Sequence, residues 1–226
     1  MQCSRDYFLM KHPFTMIVAG PTSSGKTILV RRLLDDWINQ IKGLLSTPKC
    51  VWCYGQWQSE YNNILSLPIE YHEGLVDETS INEMKPDIIV IDDLMTELGD
   101  NKSLANLFTK GSHHMNLSVI FIIQNIFHQA KMMRTISLNC HYFYLMKNAR
   151  DRSQIVSLAR QLYPNNMKYL VESYENATKK PYSYIRVDTS PMTPDEYRVR
   201  TRLLQEELPL NYKFSFAPFV YQQKNV

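Results

Sequence analysis

No apolar run in this 226-residue chain reaches the roughly 18 residues that span a bilayer. The longest, around 88–91 and 119–123, have the length of buried strands. The opening stretch MQCSRDYFLMKHPF carries neither the apolar core nor the small-residue cleavage site of a secretory signal. Four cysteines, Cys3, Cys50, Cys53 and Cys140, are too few for a disulfide framework and suit a reducing compartment. These absences predict a soluble, intracellular protein. Charge of one sign is lacking too, since 25 Lys and Arg against 22 Asp and Glu leave a net +3. A near-balance of this kind does not by itself indicate a nucleic-acid partner. There is no internal repeat and no low-complexity segment.

What is present is an alternation of short apolar runs with amphipathic stretches, which argues for an α/β fold with a largely parallel central sheet flanked by helices. Strands are expected at 14–19, 50–54, 87–92, 118–124 and 141–146, each nearly continuous in apolar residues, as a strand covered on both faces must be. Helices are expected at 26–41, where Val30, Leu33, Leu34, Trp37 and Ile41 share one face, and at 102–110, 150–162 and 166–176. Residues 181–187 read as a late edge strand or hairpin arm. After Thr189 the prolines become frequent, and a charged helix is expected over 195–207 before the aromatic end FSFAPFVY. The expected division is a core over 1–188 and a tail over 189–226 that packs on the core or on a neighbouring subunit.

Residues 20–27 read GPTSSGKT, the pattern G-x-x-x-x-G-K-[ST], between an expected strand and an expected amphipathic helix. Gly20, Pro21, Thr22, Ser23, Ser24 and Gly25 would wrap backbone N–H groups around a phosphate at the helix N-terminus. Lys26 would place a charge between the β- and γ-phosphates, and the Thr27 hydroxyl would ligate Mg²⁺. A second element, DIIVIDDL, carries two carboxylates to the C-terminal end of a strand, where ligands bind in open parallel sheets. Asp92 is the expected metal residue, and Asp93 the group that orients or deprotonates the attacking water. A third, SVIFIIQN, ends in Gln124. If its strand lies between the other two, Gln124 can sense the γ-phosphate.

IVAGPTSSGKT, DIIVIDDL and SVIFIIQN stand together, with LFTKGSHHMNLSV leading into the last and KNARDRSQI following. This combination resembles the FtsK–HerA superfamily of P-loop ATPases. Within it, the likeness is to the DNA-packaging ATPases of poxviruses, other large DNA viruses and Polinton/Maverick-like and adintovirus elements. The resemblance covers residues 14–160. It implies a RecA-like P-loop NTPase that uses ATP and Mg²⁺ at the subunit interfaces of a homo-oligomeric ring around double-stranded DNA, feeding a genome into a capsid. It also implies a capsid or portal protein as partner, no membrane, and a location in the host nucleus, at the site of virus assembly or with the virion.

In many relatives the turn before the sensor strand carries an arginine that reaches the neighbouring subunit's γ-phosphate; here the turn is Lys110, Gly111, Ser112, His113, His114. Either Lys110 substitutes as a point charge, or the cation comes from Arg134, Arg150 or Arg152, with Arg134 and Arg152 preferred. Two other readings remain at this point: a P-loop kinase of nucleosides or small metabolites, and a nucleotide-dependent, DNA-binding assembly factor with little turnover.

The net charge hides a strong asymmetry. Residues 60–100 hold eleven acids and one base, whereas residues 101–180 hold eleven Lys or Arg and three acids, a belt that can grip DNA phosphates without reading bases. Cys50 and Cys53 have metal-motif spacing, but on a strand they point to opposite faces, so metal binding is not expected. Tyr54, Gln56 and Trp57 follow a strand and read as core packing rather than as a stack on adenine or DNA.

Overall fold

A strand that is apolar at every position has to be roofed on both sides, and this requirement shapes the whole molecule. The computed structural model describes residues 8–44, 46–63, 65–94, 102–112, 115–126, 131–204 and 219–220. Its first half runs β1 (Met10–Lys11), β2 (Thr15–Ala19), α1 (Lys26–Asp35), α2 (Trp37–Gln40), β3 (Ile41–Lys42), β4 (Cys50–Tyr54), β5 (Ile69–Glu73), α3 (Glu78–Met84) and β6 (Ile88–Asp92). There follow α4 (Lys102–Asn106), β7 (Ser118–Ile123), α5 (Lys131–Leu138), β8 (Tyr142–Met146), α6 (Ser153–Leu162), α7 (Met167–Ala177), β9 (Tyr184–Asp188), β10 (Val199–Thr201) and β11 (Phe219–Val220).

Among the described residues nine strands form one sheet in the order β11-β10-β9-β8-β2-β7-β6-β4-β5. From β8 to β5 every neighbour is parallel, while β9, β10 and β11 run antiparallel to theirs. The expected α/β architecture is therefore the observed one, and β7 lies between β2 and β6. Ala19 is level with Ile123 and Leu145, and Asp92 with Ile122, so the carboxyl ends of β2, β6, β7 and β8 finish along one rim.

Alternation within the strands fills two apolar layers. Ile17, Val51, Ile89, Ile91, Phe121 and Ile123 face one layer, roofed by side chains of α4 to α7 such as Leu104, Ile136, Leu158 and Leu170. Met16, Val18, Trp52, Val90 and Ile122 face the other, under Leu29, Val30, Leu33 and Leu34 of α1. Cys50 and Cys53 fall in opposite layers, as their spacing on a strand requires.

Four expectations need correction. The helix expected over 26–41 ends at Asp35, because the Asp36 carboxylate takes hydrogen bonds from Asn39 Nδ2 at 2.7 Å and Gln40 Nε2 at 2.9 Å, a local alternative to the helical ladder. Ile41 and Lys42 then pair with β1. The helix at 102–110 changes pitch at Leu107 into a π turn, Leu107–Gly111. Of the two readings of 181–187, the hairpin arm is the observed one and the edge strand is not, since β10 pairs antiparallel with β9 and covers it. The charged helix expected over 195–207 is, as far as Leu204, a 3₁₀ turn at Asp195–Tyr197 followed by β10. Arg186 and Arg200 are fully buried around Asp188, with Arg200 Nη2 3.4 Å from Asp188 Oδ2. Arg200 at a core position gave that strand the surface pattern of a solvated helix. His113, His114 and most of the aromatic end lie outside the described residues. No helix among the described residues is long and apolar enough to cross a membrane.

Candidate nucleotide site

The GPTSSGKT loop connects the end of β2 to the start of α1. Gly20 N–H donates to Ile123 O at 3.2 Å, which ties the loop to β7. Ser23 and Gly25 both have left-handed backbones, at φ 61° and 90°, in the kind of turn whose successive N–H groups form an anion-binding concavity. The ten-residue α1 begins directly after it with no acid in its first turn, so its N-terminal partial charge is uncompensated within the helix. Ser24 Oγ is buried without a hydrogen-bond partner in this loop, a polar atom that a phosphate oxygen would satisfy.

Gly20 is required by close approach rather than by φ. A Cβ there would stand 2.6 Å from Met146 Cβ and 2.8 Å from Ser24 Oγ. Gly20→Ala is expected to destabilise the fold by about 1–3 kcal/mol through overpacking, readable as a lowered Tm in a thermal melt; an unchanged Tm would mean that β8 gives way freely.

Lys26 Nζ reaches back across the loop to Pro21 O at 3.0 Å. Burial pushes its pKa down, and the charges of Asp92 and Asp93 oppose that shift. Thr27 Oγ1 donates to Asp92 Oδ2 at 3.1 Å, joining the loop to the tip of β6. Asp92 is 2% exposed. Burial raises its pKa, partly offset by hydrogen bonds from Tyr61 and Thr27; Asp93 raises it further and Lys26 lowers it. A hydroxyl and a carboxylate in contact form a hard oxygen donor set that fits Mg²⁺. Asp93 is exposed and left-handed at φ 56°, a conformation that aspartate tolerates better than most residues. Gln124 Nε2, at the end of β7, lies 3.4 Å from Asp93 Oδ1. The structure therefore brings Lys26, Thr27, Asp92, Asp93 and Gln124 to one cleft of about 500 Å³.

Tyr61, which the sequence reading did not single out, donates its hydroxyl to Asp92 Oδ2 at 2.9 Å from a 3₁₀ turn at Ser59–Asn62. Both hydrogen bonds thus fall on one carboxylate oxygen. Tyr61 is held in a cluster of Trp52, Tyr54, Trp57 and Tyr71, with ring centroids 5.2–5.8 Å from its own. Arg31 of α1, itself buried, clamps the cluster by donating to Tyr71 Oη at 2.5 Å and to Asn63 O. Tyr54 packs within this cluster, Trp57 packs on its outside and is 48% exposed, and Gln56 lines the cleft. No periodic pattern marks Tyr61, which sits in a polar stretch that reads as loop.

Arg134, Arg150 and Arg152 are not among the described residues that line this cleft. Arg152, at the start of α6, donates from Nη1 to Glu175 Oε1 of α7 at 3.0 Å in a largely exposed pair. Arg134 is exposed on α5, and Lys110 falls in the π turn after α4. Arg150, Lys147 and Asn148 border a second cleft of about 800 Å³ on the opposite side of the loop.

A family model described as the poxvirus A32 protein matches residues 2–159. No curated protein sequence matches the chain. Among solved structures, the genome packaging NTPase B204 from Sulfolobus turreted icosahedral virus 2, in complex with sulfate, superimposes with a TM-score of 0.56 at 11% identity, over 84% of this chain and 96% of that one. Its complex with ATP-γS gives a TM-score of 0.55 at 10% identity, over 84% and 96%. The DNA-packaging ATPase B204 from Sulfolobus turreted icosahedral virus gives 0.56 at 10% identity, over 84% and 98%.

Proposed function

Since the chain belongs to the poxvirus A32 protein family, we propose that it is an ATPase that drives double-stranded DNA into a viral capsid. The observation that carries this reading is the contact of Thr27 with Asp92 at the mouth of the phosphate loop, with Gln124 beside Asp93 on the intervening strand. That arrangement is a complete cis half of an ATP-hydrolysing site. The structural neighbours described as genome packaging NTPases, one of them in complex with ATP-γS, support the same reading.

In this reading the loop backbone and Lys26 hold the β- and γ-phosphates. Thr27 and Asp92 would hold Mg²⁺, which would supply charge neutralisation. Asp93 orients the attacking water and accepts its proton, and Gln124 positions Asp93 and senses the γ-phosphate. The trans half belongs to the next subunit of a homo-oligomeric ring, with Lys110, Arg134 and Arg152 as the cations to test. Arg152 would first have to leave Glu175. The other basic residues of 101–180 would grip DNA phosphates, a capsid or portal protein receives the motor, and the ring works in the host nucleus or at the site of virus assembly, or remains with the virion.

ATP hydrolysis by the full chain is expected to rise several-fold on addition of double-stranded DNA at low salt, and the stimulation should fade as salt rises, since phosphate contacts release counterions. An equal rate with and without DNA would contradict the proposal. Tyr61→Phe removes one donor to the metal carboxylate while keeping the ring in its cluster. It is expected to raise the Mg²⁺ concentration for half-maximal hydrolysis roughly tenfold, the usual cost of losing an outer partner of a metal ligand. A magnesium titration of the two proteins checks this; superimposable curves would remove Tyr61 from the site.

A further inference from the structure

The cleft that holds Lys26 and the larger one beside it are not separate. They share Thr22, Ser23, Ser24, Gln124 and Tyr182, and together they wrap both sides of the phosphate loop. Sheet order fixes what each side is for. The metal carboxylate comes from β6, beyond β7 on one flank of β2, so a triphosphate seated on the loop has its metal end there. The ester end, with its nucleoside, must leave toward the other flank, where β8 ends at Met146 and the larger cleft opens.

Tyr182 stands in that passage. It is 69% exposed, an unusual state for a tyrosine backed by the protein, and its backbone is left-handed at φ 61°, which is uncommon for a bulky residue. Its ring lies against the loop: a Cβ placed on Gly25 would be 3.1 Å from Tyr182 Cδ1. Backbone strain held at an exposed aromatic beside a ligand cleft is the kind found where a side chain is kept ready for a ligand.

Several polar groups around the larger cleft are, by contrast, already engaged. Lys147 Nζ donates to Lys179 O at 2.7 Å, and Asn148 Oδ1 accepts from the N–H groups of Arg150 and Asp151. Gln154 accepts from Ile126 N–H and donates to Asp151, whose other oxygen accepts from Ser153. With Lys147 Nζ, Asn148 Oδ1, Gln154 and Asp151 committed to the protein, the aromatic face of Tyr182 is the surface most open to a base on this side of the loop.

We infer that Tyr182 is the base-stacking residue of the nucleotide site and that the site recognises its nucleotide by the face of the base, so that it accepts purine nucleoside triphosphates with little discrimination between adenine and guanine. The inference rests on the phosphate-loop reading above and adds the nucleoside subsite to it.

The test measures equilibrium binding of ATP, GTP and inorganic tripolyphosphate, each with Mg²⁺, to the full chain and to two variants. Tyr182→Asn removes the ring yet suits the left-handed backbone, and Tyr182→Phe keeps the ring. Tyr182→Asn is expected to weaken ATP and GTP roughly tenfold, the scale of one lost base–aromatic stack, while tripolyphosphate binding stays as it was and Tyr182→Phe binds all three like the parent. The parent protein should bind ATP and GTP within about threefold of each other, whereas a site that reads the base edge discriminates by about 10⁴-fold. Unchanged ATP binding in Tyr182→Asn, or an equal loss for ATP and tripolyphosphate, would overturn the stacking role. A parent preference for ATP over GTP beyond about a hundredfold would overturn recognition by the face. Failure of the parent to bind tripolyphosphate at all would sink the phosphate-loop reading itself.

Discussion

Lys26→Ala is expected to abolish ATP hydrolysis, with a fall of at least about 10²–10³-fold, the scale of removing one preorganised charge from a transition state. The ammonium lies within the cleft at Pro21 O and close to two carboxylates, and among the described residues lining that cleft it is the only Lys or Arg. Its removal leaves Asp92 and Asp93 facing a triphosphate without the lysine charge of their own subunit. The fold should survive, because the lost bond is a single one to a loop carbonyl, so the melting temperature should stay near that of the parent. Lys26→Arg is not a rescue: a planar guanidinium needs more room than the arch from residue 26 to Pro21 O provides. A Lys26→Ala protein that still hydrolyses ATP at the parent rate would show that the loop is not the catalytic phosphate site.

Asp93→Asn is expected to lower turnover by about 10²–10⁴-fold, the range for loss of a general base, while nucleotide binding persists. The side chains are isosteric, asparagine tolerates the left-handed backbone at φ 56°, and Gln124 can bond to an amide as readily as to a carboxylate. The variant thus removes charge and basicity and little else. This outcome also separates the motor from the assembly factor that binds nucleotide with little turnover: for such a factor Asp93→Asn would leave both the slow rate and nucleotide-driven assembly unchanged. Light scattering with and without ATP, run beside a phosphate-release assay, reads both quantities.

The central strands and the site were largely legible in the sequence because both are written in short, local patterns. Five apolar runs gave five strands of the sheet, and the loop and the acidic strand end announce themselves by composition at fixed spacing. The flank of the molecule was not legible, for identifiable reasons. The edge strand β5 reads IEYHE, where only Ile69 and Tyr71 mark the half-buried face, too short an alternation to announce a strand. β10 hides behind Arg200, a guanidinium at a core position whose partner, Asp188, lies on another strand. Tyr61 and Tyr182 reach the site from turns, where only tertiary packing decides which way a side chain goes. The adjacency of Gln124 and Asp93 lies between these cases: the residues were visible, but their contact depended on β7 lying next to β6.

Translocation along DNA is the property that separates a packaging motor from every other nucleotide-binding reading, and displacement of a labelled third strand from a DNA triplex measures it directly. With ATP and Mg²⁺ the parent protein is expected to strip the triplex-forming strand from duplex DNA, and Lys26→Ala, under identical conditions, is expected to leave it in place. A parent protein that hydrolyses ATP on this DNA and leaves the third strand bound would contradict the account.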